Sequence, residues 1–368
     1  MIHTATDLTY TKDLQSAHDH FRLFRTLHRL DDPSISTAEA VLRGDYYFSL
    51  FSLDLIPVDS VQITDQFART LREDACGFGS PELPRMTFDD PGSFARGKKW
   101  LEAQLEKVCE SSNPSMTDDL LRVLLSGGKR LRPALAQAAY GLGGQPSYPI
   151  LPLMVMIELM HSASLIHDDV VDQGTKRRGT ATINVSSGDL AAVQAADFIL
   201  GRAMELLKIY RGTGIDERLA AVSEQMCIGE LEQMKYLHQD ISEETYYMLI
   251  EKKTALFIEA AAACGAIAGG CEADVIHRLE QYGYHIGIAF QIKDDILDFT
   301  GKEQFGKETG QDAKKGLKTL PAIIGFEKAQ ERVGEHSEKA VSALQGLRNS
   351  VSRKALEDMA RQLEKRVM

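Results

Sequence analysis

Apolar residues recur at intervals of three and four along nearly the whole of this chain. Leu120, Val123 and Leu124 form one such set. Leu200, Met204 and Leu207 form another, and Val341, Leu344 and Leu347 a third. That spacing draws one apolar stripe down an α-helix, whereas few segments show the alternation of two that a half-buried strand needs. With only 11 prolines in 368 residues to interrupt helices, the expected fold is all-α, a helical bundle. Helices are expected to start after Asn113–Asp118 and after Asp240–Glu244, each stretch offering a capping Ser or Thr ahead of acidic first-turn residues. Gly141-Leu142-Gly143-Gly144-Gln145-Pro146 reads as a break. Residues 74–93 hold Gly77, Gly79, Pro81, Pro84, Pro91 and Gly92 with few apolar anchors. They read as a linker between an N-terminal helical extension, residues 1–73, and a C-terminal body, residues 94–368.

Composition narrows the function. At 43% hydrophobic and 26% charged residues the chain has ample apolar material for a core, which excludes a disordered polymer. A net charge of −11 argues against nucleic acid as a partner, because phosphate backbones call for a basic face. Cys76, Cys109, Cys227, Cys264 and Cys271 are odd in number and form no CxxC pair, as expected of free thiols in a reducing cytoplasm. The first 25 residues include Asp7, Asp13 and Asp19 and no apolar run, so no secretory signal is expected. The two most apolar stretches, 149–166 and 254–270, are interrupted by Pro149, Pro152, Glu158 and His161 and by Glu259 respectively. Both are read as buried core helices rather than membrane spans.

Chemistry enters with two acidic clusters. Asp168, Asp169 and Asp172 end one apolar helical pattern, and Asp294, Asp295 and Asp298 end another. Aspartates four apart share a helix face, where their charges repel and require a cation. One such cluster is most simply a solvated acidic helix end. Two on apolar helices point to a shared metal cleft. Oxygen donors without a Cys or His pair at ligand spacing favour magnesium over zinc. Magnesium is commonly held by one or two carboxylates plus substrate phosphates, so the implied ligand is a diphosphate bridging the clusters. Basic residues lie where such a ligand needs them. Lys129, Arg130 and Arg132 follow a Gly-Gly turn, Arg177 and Arg178 follow the first cluster, Lys253 precedes the second, and Lys307 and Lys318 come after it. His161 lies two helical turns before Asp168, on the same face, and is read as a phosphate contact.

The segments Gly127–Pro133 (GGKRLRP), His161–Asp172 (HSASLIHDDVVD), Arg177-Arg178-Gly179, Lys253-Thr254, Phe290–Asp298 (FQIKDDILD) and Phe305-Gly306-Lys307 resemble, in order and spacing, those of the polyprenyl (isoprenyl) diphosphate synthases, which are trans-prenyltransferases. The likeness covers about residues 95–368. One departure is Ala195-Ala196-Asp197-Phe198, where the family usually has Gly before the Asp. The resemblance implies an all-α bundle around a deep central cavity, usually a homodimer. It also implies three magnesium ions per site, two held by Asp168 and Asp172 with help from Asp169. The third falls to Asp294, with Asp295 and Asp298 acting through water. By the same resemblance, Lys129, Arg132, His161 and Arg178 bind isopentenyl diphosphate. Arg177, Lys253 and Lys307 grip the allylic diphosphate with Lys318 nearby, and Thr254 and Gln291 guide the reacting carbons.

The family's short-chain enzymes often carry an aromatic residue four or five positions before the first Asp. Here those positions are Ser164 and Ala163, with Met160 further up the helix. An open tunnel and a product from hexaprenyl to decaprenyl are expected, with a geranylgeranyl or farnesyl product as the alternative. Release of such a product implies peripheral contact with a membrane. Ala40–Leu50 is similar to a helix of the small, non-catalytic subunits of two-component heptaprenyl diphosphate synthases, itself related to the stretch Val193–Leu207 here. Residues 1–73 are read either as a remnant of such a subunit or as a plain helical extension. Two other functions compete with this reading. A non-catalytic regulatory subunit usually loses the acidic motifs, and both are complete here. A terpene cyclase lacks the basic set for a second diphosphate.

Overall fold

The protein is described by a computed structural model, which covers residues 92–111, 113–143, 147–300, 310 and 315–365. Residues 1–73, most of the expected linker and Lys307 lie outside the described residues. The body is helical, as its periodicity predicts. Helix α1 (Ser93–Val108) is followed by α2 (Pro114–Leu124), α3 (Leu131–Tyr140) and α4 (Ile150–Val171). A two-residue hairpin, β1 (Lys176–Arg177) against β2 (Thr180–Ala181), pairs Arg177 with Thr180. Next come α5 (Ile183–Ser187), α6 (Asp189–Leu207) and α7 (Ile215–Lys235). Helix α8 (Glu243–Ile250) runs through one wide π turn (Glu251–Ala255) directly into α9 (Leu256–Ala268). The chain then forms α10 (Ala273–Thr300), α11 (Leu320–Ile324), α12 (Phe326–Ala343) and α13 (Val351–Lys365).

Helix α4 is buried on nearly all sides from Ile150 to Ala163, the mark of an interior helix. It packs between α3 and α6, while α9 bridges α3 to α10, and α10 lies on α12. Among the described residues α4 alone is long and apolar enough to cross a membrane by composition, and its most apolar window is 83% buried inside the protein. The second apolar stretch is likewise interior, with Phe257, Ile258 and Ala260–Ala263 buried in α9. A charge inside α4 needs a partner. Glu158 has one, Arg130, whose Nη1 lies 2.5 Å from its Oε1.

The helix starts follow the sequence in one case and depart from it in the other. Ser242 caps α8 by accepting from the Thr245 amide, as expected. Helix α2 is capped by Asn113, which accepts from the Met116 amide, rather than by a Ser or Thr. Pro114 occupies the first helical position, where its missing N–H costs nothing, and so moves the cap back to Asn113. Helix α3 stops at Tyr140 with Gly141 at its cap, where the glycine-rich break was expected.

Candidate active site

The last turn of α4 carries Asp168 and Asp169, Asp172 caps it, and the turn holds no basic residue. A helix C-terminus is already the negative end of the peptide dipoles, so this end is doubly unfavourable without cations from elsewhere. Three remote segments bring cations to it. Arg177 on β1 forks onto the buried Asp169, Nε to Oδ2 and Nη2 to Oδ1, both at 2.8 Å. Burial pushes the Asp169 carboxyl above its ordinary pKa in spite of that fork. Lys315 Nζ lies 2.6 Å from Asp172 Oδ2. The charges of Asp168 and Asp172 also act on Lys253.

Lys253 and Thr254 sit in the π turn, a kind of local widening common at functional sites. Two glycines let neighbouring helices close on it. A Cβ on Gly229 of α7 would fall 2.8 Å from Lys252 Cβ, and one on Gly287 of α10 would fall 2.5 Å from Ala255 Cα. The approach of α7 brings Glu230 Oε2 to 2.5 Å from Lys253 Nζ. Burial disfavours the Lys253 ammonium, but Glu230, then Asp168 and Asp172, outweigh it and hold its pKa above the ordinary lysine range. Thr254 faces the second cluster. Its Oγ1 donates to Gln291 Oε1 at 2.8 Å, and Gln291 Nε2 donates to Asp295 Oδ1 at 2.8 Å. Tyr246 donates to the other Asp295 oxygen at 2.6 Å. In one turn, then, Lys253 lies within the field of Asp168 and Asp172 on α4, and Thr254 is hydrogen-bonded through Gln291 to Asp295 on α10. Asp295 is buried and bonded at both oxygens, whereas Asp168, Asp172, Asp294 and Asp298 are half-buried.

A second basic group joins α3, α4 and the turn after α4. Arg132 Nη1 and His161 Nε2 are 3.1 Å apart. Arginine can only donate, so the imidazole accepts at Nε2. Burial, then the charges of Arg132, Arg178, Arg177 and Arg130, hold His161 well below its ordinary pKa, which keeps it neutral. Burial lowers Arg132 to about 10 against the pull of Glu158 and Asp294. Arg178 Nη1 donates to the Gly127 carbonyl at 2.5 Å, and its guanidinium lies against Gly128. This ties the Gly-Gly turn, with exposed Lys129 beyond it, to the hairpin.

The sequence missed several members of this arrangement. Lys318, expected near the allylic diphosphate, has its Nζ 3.2 Å from Asp240, and the lysine that reaches Asp172 is Lys315, which the sequence did not mark. Glu230, Tyr246 and the Arg130–Glu158 pair were not singled out as site or support residues. Arg130 was grouped with the basic residues, but its side chain is committed to Glu158 and the Leu124 carbonyl. Of the residues expected to line the product path, Met160 and Ala163 are buried in α4, and Ser164 returns its hydroxyl to the His161 carbonyl.

Among the described residues, no three carboxylate, imidazole or thiol groups converge tightly enough to hold a metal on protein ligands alone. The donors present are half-buried carboxylate oxygens at two helix ends, flanked by cations. That set suits magnesium, which completes its shell with water and phosphate oxygens.

The pattern of the polyprenyl synthetase family matches residues 114–359. The heptaprenyl diphosphate synthase component 2 of Geobacillus stearothermophilus is 36% identical over 235 residues, covering 63% of this chain and 73% of that protein. The octaprenyl diphosphate synthase of Escherichia coli is 37% identical over 203 residues, covering 55% of this chain and 63% of the relative, under two thirds of its length. A crystal structure of a polyprenyl synthase from Caulobacter crescentus, complexed with calcium and isoprenyl diphosphate, superposes with a TM-score of 0.70 at 26% identity. It covers 85% of this chain and all of that one. Fold and site together define an all-α prenyltransferase. The chain belongs to the polyprenyl synthetase family.

Proposed function

We propose that this protein is a magnesium-dependent trans-polyprenyl diphosphate synthase. It condenses isopentenyl diphosphate with an allylic diphosphate and makes a product in the hexaprenyl to decaprenyl range. The observation that carries the reading is the pair of acidic helix ends joined through Lys253, Thr254 and Gln291 beside a second basic group. Asp168, Asp172 and Asp294 would hold magnesium, three ions in all, with Asp169, Asp295 and Asp298 in support. When bound, magnesium supplies Lewis-acid stabilisation of the leaving diphosphate, worth several kcal/mol.

The chain's own residues do the rest. Lys253, kept protonated by Glu230, opposes the charge that grows on the allylic diphosphate as its C–O bond breaks, with Arg177, Lys307 and Lys318 on the same substrate. Arg132, Arg178 and Lys129 bind isopentenyl diphosphate, and His161, being neutral, orients Arg132. The Thr254–Gln291 pair lays polar groups beside the reacting carbons. The alkene attacks the allylic cation, a new C–C bond forms, and the proton lost passes to the departed diphosphate. No side-chain nucleophile is required.

Small residues at Ala163 and Ser164 favour the longer product, which would grow along α4. Ala163→Phe should shorten it, and an unchanged product distribution on chromatography would count against that path. The protein acts as a cytoplasmic homodimer that meets a membrane when it releases product. Residues 1–73 act as a fused remnant of a small subunit. Deleting residues 1–85 should then shift product length, whereas a plain extension would leave length unchanged. Incubation with isopentenyl diphosphate, a labelled allylic primer and magnesium, followed by mass spectrometry, tests the whole reading. Consumption of isopentenyl diphosphate into a longer diphosphate supports it. A cyclised primer with isopentenyl diphosphate untouched would refute it.

A further inference from the structure

The cations that meet the acidic end of α4 are not equivalent. Arg177 engages both oxygens of Asp169, which is buried. Lys253 has a carboxylate of its own in Glu230. Lys315 is different, because its ion-pair partner among the described residues, Asp172, is a partly exposed carboxylate expected to take a metal. The two residues are 143 positions apart, with side chains 31% and 27% exposed. Lys315 is brought there by its surroundings rather than by chance reach. The Gly316 carbonyl accepts from the His238 amide at 2.8 Å. Gly316 has φ +76°, and a Cβ there would fall 2.2 Å from His238 Nδ1, so only glycine lets the segment close on the turn after α7. Lys318 holds the same turn through Asp240.

We propose that Lys315 is a resident counter-cation of Asp172 that the divalent ion must displace, and that it thereby couples metal loading to diphosphate binding. The proposal rests on the reading that Asp168 and Asp172 hold metal. An ammonium 2.6 Å from a carboxylate oxygen and a divalent cation on that oxygen repel each other, so the ion pair has to open before metal enters. Metal alone therefore binds weakly. A diphosphate arriving with the metal gives the displaced ammonium a new anionic partner and recovers what the broken pair lost. Lys315 is thus a positioning residue that discourages loading of metal in the absence of substrate.

The test is Mn2+ binding to the full chain, followed by the electron paramagnetic resonance of free Mn2+, with and without inorganic diphosphate. Lys315→Gln should bind Mn2+ alone roughly two- to fivefold more tightly than wild type, the range expected for loss of a partly exposed ion pair. Its gain in affinity on adding diphosphate should shrink. Lys315→Arg should keep wild-type behaviour. Arg278→Gln, which removes an equal charge from an exposed pair with Asp274 outside the site, should leave Mn2+ affinity without diphosphate unchanged. In chelator, Lys315→Gln should melt below wild type, and excess Mn2+ should erase the difference, a response that a plain folding defect would not give. Equal or weaker Mn2+ affinity in Lys315→Gln, or no binding by either protein without diphosphate, overturns the proposal. If the proposal is overturned in one of these ways while both proteins bind Mn2+ once diphosphate is present, the metal-site reading stands and this inference alone fails. If neither binds even then, both fail.

Discussion

At the residue scale, the charges of Glu158, Lys253 and Asp172 are met by partners far away in sequence. Glu158 sits inside the long apolar helix α4 and is balanced by Arg130, both side chains 3% exposed or less. Removing one member of such a pair leaves a buried charge without its counterion, a loss of about 3–5 kcal/mol. Glu158→Ala is therefore expected to lower the melting temperature markedly, and a shift near zero would show that the pair contributes nothing. The motif aspartates, Arg132 and His161 were legible in the sequence because repeated spacing marks them. Glu230 was not, since it sits among other polar residues of α7, near Glu224 and Glu232, and only the close approach at Gly229 selects it. Lys315 was not legible either. Lys314, Lys315 and Lys318 look alike in a string of letters, and the choice between Lys315 and Lys318 depends on the Gly316–His238 contact.

At the scale of elements, the decisive one is the π turn between α8 and α9. The sequence marks a helix start at Asp240–Glu244 and a core helix in 254–270, and nothing in its periodicity announces a widened turn at Glu251–Ala255. The turn arises where α7 and α10 press on it through Gly229 and Gly287, a tertiary effect that a local pattern does not carry. Gly229→Val would force these elements apart. The expected cost is about 1–3 kcal/mol of stability, typical of overpacking, together with a fall in kcat as Lys253 and Thr254 shift. Paired denaturation and steady-state measurements check this. Wild-type kcat in a destabilised variant would show that the turn's position does not matter for turnover. The boundaries of α3 and α8 were readable because glycine and serine act locally at helix ends. The α2 cap was misread because Pro114 displaced it by its own preference for the first helical position.

At the scale of the molecule, the all-α fold was legible because its driving pattern, the three-four spacing of apolar residues, repeats in nearly every element. A further whole-molecule property lies on the far side of α10. His285 Nδ1 and His336 Nδ1 are 3.1 Å apart, and His336 stacks on Tyr247. Burial, then the neighbouring His285 and Lys339, lowers His336 from 6.5 to about 4. Below about pH 6.5 the unfolded chain therefore binds a proton that the folded chain refuses. Stability present at neutral pH is lost as pH falls from 6.5 towards 4. The melting temperature should drop across that window, and His336→Asn should flatten the decline. An identical slope in the variant would remove His336 as a source.

The central claim is that the acidic ends of α4 and α10 jointly hold one metal-diphosphate centre. The most direct measurement is turnover of isopentenyl diphosphate by Asp168→Ala and by Asp294→Ala, with circular dichroism confirming that each variant is folded. Each substitution alone is expected to cut turnover by orders of magnitude, whereas near-normal turnover in both folded variants would contradict the account.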